Sequence, residues 1–318
     1  MSKIEECEFR GKEDAIIYYY RWNISEEVKE KGVVLLLHGM AEHAFRYKEF
    51  ANFLNQNGFI VYADDHRGHG KTGAKQGKLG YLGEAGWDLL VDDVYLLLNI
   101  IKSNHEGLPV ILFGHSMGSI LAKTCISEYG SEFDGVILSG TTNGVGLLTR
   151  KLGLYLSKTV SLLSGGKKQS PFLHSVCFGN YNKGFGLDTP FEWLSRDKKV
   201  IKDYIEDELC GFICTSGFYA DMLDGINRNA KVKNIKKVPS SLPMFIISGT
   251  KDPVGSYSKD IKVVYGLYKN VAKLDNVKYK LFEDARHELL NEINKEEVYN
   301  DVLNWLKYIL VDIKKRSV

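Results

Sequence analysis

An α/β architecture, a mostly parallel twisted sheet flanked by helices and carrying an inserted helical cap, is the fold class that this 318-residue chain predicts. Three observations carry it. Short, nearly continuous apolar runs such as Val33–Leu37, Val110–Phe113 and Met244–Ser248 alternate with longer amphipathic runs. That is the rhythm of parallel strands buried on both faces by crossover helices. Gly114-His115-Ser116-Met117-Gly118 stands between one such apolar run and the helix-like run Ile120–Lys123. There a sharp strand-to-helix turn lifts a serine hydroxyl off the sheet, and glycine permits the close approaches on either side. Finally, the alternation breaks from Thr141 to Pro239, far too long a stretch for a loop between adjacent strands.

In chain order, Ala15–Trp22 reads as an early strand paired with the segment around Phe9 through a turn at Gly11-Lys12. Val33–His38 is a β-branched and leucine-rich strand; a helix over 47–57 and a strand at Phe59–Ala63 follow. From Trp87 to Asn104 the apolar positions 90, 91, 94, 97, 98 and 101 have helix spacing. Val110–Phe113, the helix after Ser116 and Gly135–Leu138 continue the alternation. In the interruption, Leu148, Leu152, Tyr155, Val160 and Leu163, with Arg150, Lys151 and Lys158 between them, read as an amphipathic helix. Loop-like Gly165–Lys168, a Gly/Asn/Phe-rich stretch at 178–186 and helical material over 196–208 and 218–227 follow. The rhythm resumes with Met244–Ser248, a helix over 259–271, Lys278–Phe282 and a last helix carrying Val302, Leu306, Ile309, Leu310 and Ile313 on one face. The expected organisation is a core of residues 1–140 and 240–318 and a helical cap of residues 141–239 over the C-terminal edge of the sheet.

Composition narrows the function classes. A hydrophobic content of 44%, a charged content of 26% and a net charge of +2 are those of an ordinary globular protein and leave no basic footprint for nucleic acid. The N-terminal Met1–Glu6 has no signal-peptide pattern, and no apolar stretch approaches the roughly 20 residues that span a bilayer. Five scattered cysteines suit reduced thiols and a cytoplasmic protein; Cys210 and Cys214 lack the second pair that a zinc site needs.

A serine hydroxyl needs a histidine to take its proton, and the histidine needs a carboxylate to fix its tautomer. In a parallel α/β sheet all three come from loops at the C-terminal ends of strands. Asp252 follows Met244–Ser248, and His287 follows Lys278–Phe282. The order Ser116, Asp252, His287 is that of an α/β-hydrolase. Asp284 is the rival carboxylate. Backbone N–H groups of Met117, after the nucleophile, and of Met40, after the strand Val33–Leu37, are the expected oxyanion donors. Gly39, which lets the backbone turn, His115, Leu148 and Leu152 are the residues expected at the substrate. His38-x-x-x-Glu42-His43 is out of register with an inverted zinc motif and Asp65–Gly70 resembles ligands only in composition, so no metal and no cofactor are expected. Both loops are expected to buttress the site through hydrogen bonds.

The sequence resembles the monoacylglycerol lipase and lysophospholipase-like branch of the serine α/β-hydrolases. The matching pieces are His38–His43 with Arg46-Tyr47, Asp65–Gly70, Gly114–Ser119, Ser248–Asp252 and Arg286-His287-Glu288. The resemblance implies Ser116 as nucleophile, His287 as general base, Asp252 as its orienter, Met40 and Met117 as oxyanion donors, and residues 141–239 as the family's cap. Trp193-Leu194-Ser195-Arg196-Asp197 and Leu209-Cys210-Gly211-Phe212 are similar to cap sequence in bacterial members. The expected partner is a small-molecule acyl ester of one acyl chain, with a weak, reversible contact of the cap with lipid; the oligomeric state is left open. An aminopeptidase, with Glu206, Asp207 and Glu208 as amine-binding acids, a thioesterase on the same triad, and a non-catalytic binding protein on this scaffold are the alternatives.

Overall fold

A computed structural model describes residues 3–144, 146–186 and 188–316; Met1 and Ser2 of the N-terminal stretch lie outside them. The chain opens with strands β1 (Lys3–Arg10), β2 (Ile16–Asn23) and β3 (Gly32–Leu37), then helix α1 (Lys48–Gln56) and β4 (Phe59–Asp64). Helices α2 (Gly70–Lys75) and α3 (Gly86–Asn104) precede β5 (Val110–His115), α4 (Met117–Tyr129) and β6 (Gly135–Ser139). Between β6 and the next strand lie α5 (Leu147–Ser164), α6 (Pro171–Phe178), α7 (Lys198–Glu206), α8 (Ser216–Asn229) and α9 (Val232–Ile235). Strand β7 (Met244–Gly249), α10 (Lys259–Asn270), β8 (Val277–Phe282) and α11 (Lys295–Arg316) complete the fold.

The strands form one sheet in the order β1-β2-β4-β3-β5-β6-β7-β8. β1 and β2 are antiparallel to their neighbours, and every pairing from β4 to β8 is parallel. Strands β3, β4, β5 and β7 are buried along their whole length, which explains why they read as unbroken apolar runs. Alternate residues divide between two cores: Val33, Leu35 and Leu37 pack with Val94, Leu97 and Leu121 on one face. Val34 and Leu36 pack with Phe50, Val302 and Leu306 on the other. The two-residue period of a pleated strand thus fills both layers from one sequence run.

The helix α4 sits hard against the sheet. A Cβ on Gly118 would stand 2.1 Å from the Leu37 carbonyl oxygen and 2.6 Å from that of His38, so only glycine lets the helix start this close to the end of β3. The turn after the nucleophile and the loop after β3 are thereby held side by side.

The α5 helix forms where its apolar spacing predicts, but it presents a different face. It packs against α8 with Ser157 fully buried, while Gly153 borders a cavity. The leucine stripe is left on the outside. Leu148 and Leu152, expected at the substrate, are 71% and 60% exposed. Helices α2, α6 and α9 are additional to the sequence expectations.

Candidate active site

Ser116 caps α4 directly after β5, with φ 51° and ψ −118°. For a non-glycine residue this is a strained conformation, and it is tolerated where surrounding structure holds it, a pattern concentrated at functional sites. The Ser116 amide donates to the Ser139 carbonyl at the end of β6 (2.9 Å), and the Ser119 hydroxyl donates to the Ser116 carbonyl (2.6 Å).

Asp252 and His287 lie beyond the ends of β7 and β8, both buried. His287 Nδ1 is 3.0 Å from each Asp252 carboxylate oxygen. Asp252 also accepts from the Val254 amide (2.8 Å) and the Ser248 hydroxyl (3.3 Å), which fix its orientation. Burial lowers the affinity of His287 for a proton, but the Asp252 carboxylate, with Glu288 and Glu42 nearby, outweighs burial and raises its pKa above the ordinary histidine value. The rival Asp284 faces solvent 4.0 Å from Lys251. His287 Nε2 is buried and has no hydrogen-bond partner among the described residues, Ser116 Oγ included. Such bonds are commonly long in unliganded enzymes and tighten when substrate binds.

Gly39 is close beside the nucleophile: a Cβ placed on it would be 3.3 Å from Ser116 Cβ and 2.6 Å from Glu42 Oε1. Its own N–H donates to Glu42 (2.6 Å). Glu42 also accepts from Tyr47 (2.8 Å) and Arg46 (2.6 Å), and Arg46 makes a two-pronged contact with Glu288 (2.9 and 2.7 Å). These buried charges join the loop after β3 to the loop after β8. Neither the Met40 nor the Met117 amide N–H is engaged by a protein acceptor among the described residues. Glu42 lies in a loop expected to buttress the site through hydrogen bonds; its link through Arg46 to Glu288 is additional to that expectation.

The loops expected to buttress the site do so. His38 Nε2 accepts the His66 N–H (3.0 Å), while Asp65 accepts the amides of Ala44 (2.9 Å) and Lys71 (2.8 Å). His43, Asp207 and Cys210 bring three ligand-type atoms within 4.8 Å of one another, and there His43 Nε2 meets Asp207 at 2.8 Å in a hydrogen-bonded tether.

Two cavities meet at Ser116, Met40 and Phe178. One, of about 350 Å³, is lined by Gly39, Glu42, His115, Tyr204, His287 and Glu288 among others. The other, of about 340 Å³, is walled mainly by apolar side chains, including Ile120, Leu156, Leu173, Met222 and Ile226. Gly39 and His115 therefore stand at the site as expected, and burial, with the positive charge His287 can carry, pushes His115 down to about 4, so its ring is neutral at pH 7. Leu148 and Leu152 line neither cavity; Thr149, Gly153 and Leu156 of the same helix take that place.

The sequence pattern of a family described as serine aminopeptidase, S33, matches residues 28–294. The chain belongs to this family. Within it, the S33 chain is 28% identical to a monoacylglycerol lipase of Mycolicibacterium smegmatis, over 96% of this chain and 98% of that protein. A putative monoglyceride lipase of Schizosaccharomyces pombe is 30% identical, over 90% of this chain and 68% of its own length. A solved carboxyl esterase from Bacillus coagulans, in complex with glycerol, matches the S33 chain with a TM-score of 0.90 and 26% identity, covering 98% of this chain and all of that one.

Proposed function

We propose that the chain is a carboxylic ester hydrolase that cleaves esters of single acyl chains, of monoacylglycerol or lysophospholipid type, through an acyl-enzyme on Ser116. The observation that carries this reading is the position of Ser116 where two largely apolar cavities meet, one walled by aliphatic side chains and the other by aromatic ones together with Glu42, His115 and Glu288. A hydrocarbon arm fits the aliphatic cavity of Ile120, Leu156, Leu173, Met222 and Ile226, and a small alcohol arm fits the other, beside Glu42 and His115. Ser116 Oγ attacks the acyl carbon and His287 takes its proton. The Met40 and Met117 N–H groups hold the oxyanion, and His287 passes the proton to the departing alcohol as the C–O bond breaks. Water then repeats the sequence on the acyl-enzyme. Residues 141–239 serve as the cap that closes both cavities from above.

Other substrate classes fit less well. A peptide N-terminus needs a carboxylate free to receive its ammonium group. The carboxylates lining the cavity beside His115 and His287, Glu42 and Glu288, are both bound to Arg46, while Glu206 and Glu208 are exposed and Asp207 meets His43. A panel of monoacylglycerols, lysophospholipids, thioesters and aminoacyl amides at equal concentration tests the reading: monoacyl esters turning over fastest supports it, and preferential cleavage of the amides would replace it.

The aliphatic cavity sets chain length. A Cβ on Gly153 would meet nothing nearer than Leu223 Cδ1 at 4.0 Å, so a larger residue enters the cavity without straining the backbone. Gly153→Leu is expected to lower kcat/KM for long acyl chains relative to short ones by at least about tenfold, read from a homologous ester series.

The leucine face of α5 supports a reversible contact with lipid. Leu148, Leu152, Tyr155, Leu162 and Leu163 are exposed beside Lys151 and Lys158, an apolar row with basic flanks. Among the described residues no helix is long and apolar enough to cross a membrane. Sedimentation with anionic vesicles is expected to carry down the wild type and to lose a Leu148→Ser, Leu152→Ser variant. The five cysteines are all free, which suits a reducing cytoplasm.

A further inference from the structure

The motifs Trp193–Asp197 and Leu209–Phe212 have no part in the chemistry described so far, yet both touch the loops that perform it. On one side, the Leu194 and Trp193 carbonyls accept the amides of Glu288 (2.7 Å) and His287 (3.3 Å). The buried Ser195 hydroxyl donates to the Asn291 carbonyl (2.9 Å), and Arg286 donates to the Ser195 carbonyl (2.9 Å). Arg196 reaches the buried Glu292 (3.0 Å), which also accepts the Arg286 amide (2.7 Å). The Trp193 ring stands over the His287 imidazole with centroids 5.1 Å apart. This segment runs along the general-base loop as a strap.

On the other side, the Ala41 carbonyl accepts two donors from the insertion, the Gly211 amide and the Tyr204 hydroxyl, each at 2.9 Å. Ala41 follows Met40 and has φ 53°, a left-handed conformation unfavourable for an L-residue. Two donors on its carbonyl hold it there. The Tyr204 ring also covers the Arg46 guanidinium at 4.8 Å, the group that links Glu42 to Glu288.

Strand ends alone do not place the working atoms. Met40 lies three residues past β3 and His287 five past β8, so each depends on what holds its loop. We propose that Tyr204 and Ser195 are positioning residues for acyl transfer, and that the insertion ties the oxyanion loop and the general-base loop into one rigid arrangement besides covering the site. This rests on the hydrolase reading above. A displacement of about 1 Å in such a loop costs up to about a hundredfold in rate while leaving substrate affinity intact.

Tyr204→Phe removes one hydroxyl and keeps the ring on Arg46. In the folded full-length protein it is expected to lower kcat on a monoacylglycerol ten- to a hundredfold with KM within about twofold of wild type. Affinity for an alkylboronic acid, which becomes tetrahedral on Ser116, falls by the same factor. Ser195→Ala, on the other strap, gives an independent reading if Tyr204→Phe does not fold: fluorophosphonate labelling of Ser116 slows about tenfold or more. A purely packing role would instead raise KM or lower the melting temperature without separating boronate affinity from KM. Folded variants with wild-type kcat, boronate affinity and labelling rate would overturn the inference while wild-type ester turnover upheld the hydrolase reading. A wild type that hydrolysed no acyl ester would overturn both.

Discussion

Replacing Ser116 by alanine is expected to reduce turnover of a monoacyl ester by about a millionfold, the scale seen when a triad nucleophile is removed from an unrelated hydrolase. The substitution deletes one oxygen from a residue whose backbone is held by the Ser139 carbonyl and by the start of α4. Folding should therefore be retained, with an unchanged circular dichroism spectrum and a melting temperature within a few degrees. Substrate affinity should persist as well, because Ser116 adds only one hydroxyl to cavities whose remaining walls come from other residues. Turnover within tenfold of wild type would remove Ser116 from the mechanism.

The second large effect is electrostatic. Asp252→Asn keeps the shape of the side chain but places an amide where His287 Nδ1 now meets two carboxylate oxygens at 3.0 Å. An amide NH₂ cannot accept the Nδ1 proton, so the ring is held in the wrong tautomer and kcat is expected to fall about ten-thousandfold. The pH profile gives a second reading. In the wild type the raised His287 pKa puts the acid limb of kcat/KM above the ordinary histidine value of about 6.5. With the carboxylate gone, burial dominates and the limb moves to lower pH. An acid limb that stays in place would show that another group governs it.

How far the sequence foretold this arrangement varies with the physics of each part. Strands buried on both faces need continuous apolar runs, so β3, β5 and β7 were legible, and with them the strand ends that carry Ser116 and Asp252. The face of α5 was not. An apolar stripe usually marks the packed side of a helix, but here Ser157 is the buried residue, Gly153 borders a cavity and the leucines face outward. Helix α6 had a signal that went unread, a Ser170-Pro171 start in which the serine hydroxyl accepts the Leu173 amide (3.3 Å). The straps were out of reach for a different reason. They join Ala41 to Tyr204 and Ser195 to Asn291 across 163 and 96 residues, largely through backbone carbonyls that any residue would supply, whatever its side chain.

The meeting of the two cavities at Ser116 also bears on the order in which the reaction partners come and go. On the reading proposed above, the hydrocarbon arm stays tethered in the aliphatic chamber after the first half-reaction, while the freed alcohol has the other chamber to vacate. The incoming water molecule needs that same compartment, so departure of the first product gates arrival of the second reactant. The fatty acid, released last into the chamber that suits it, is then the species expected to linger and slow the next cycle.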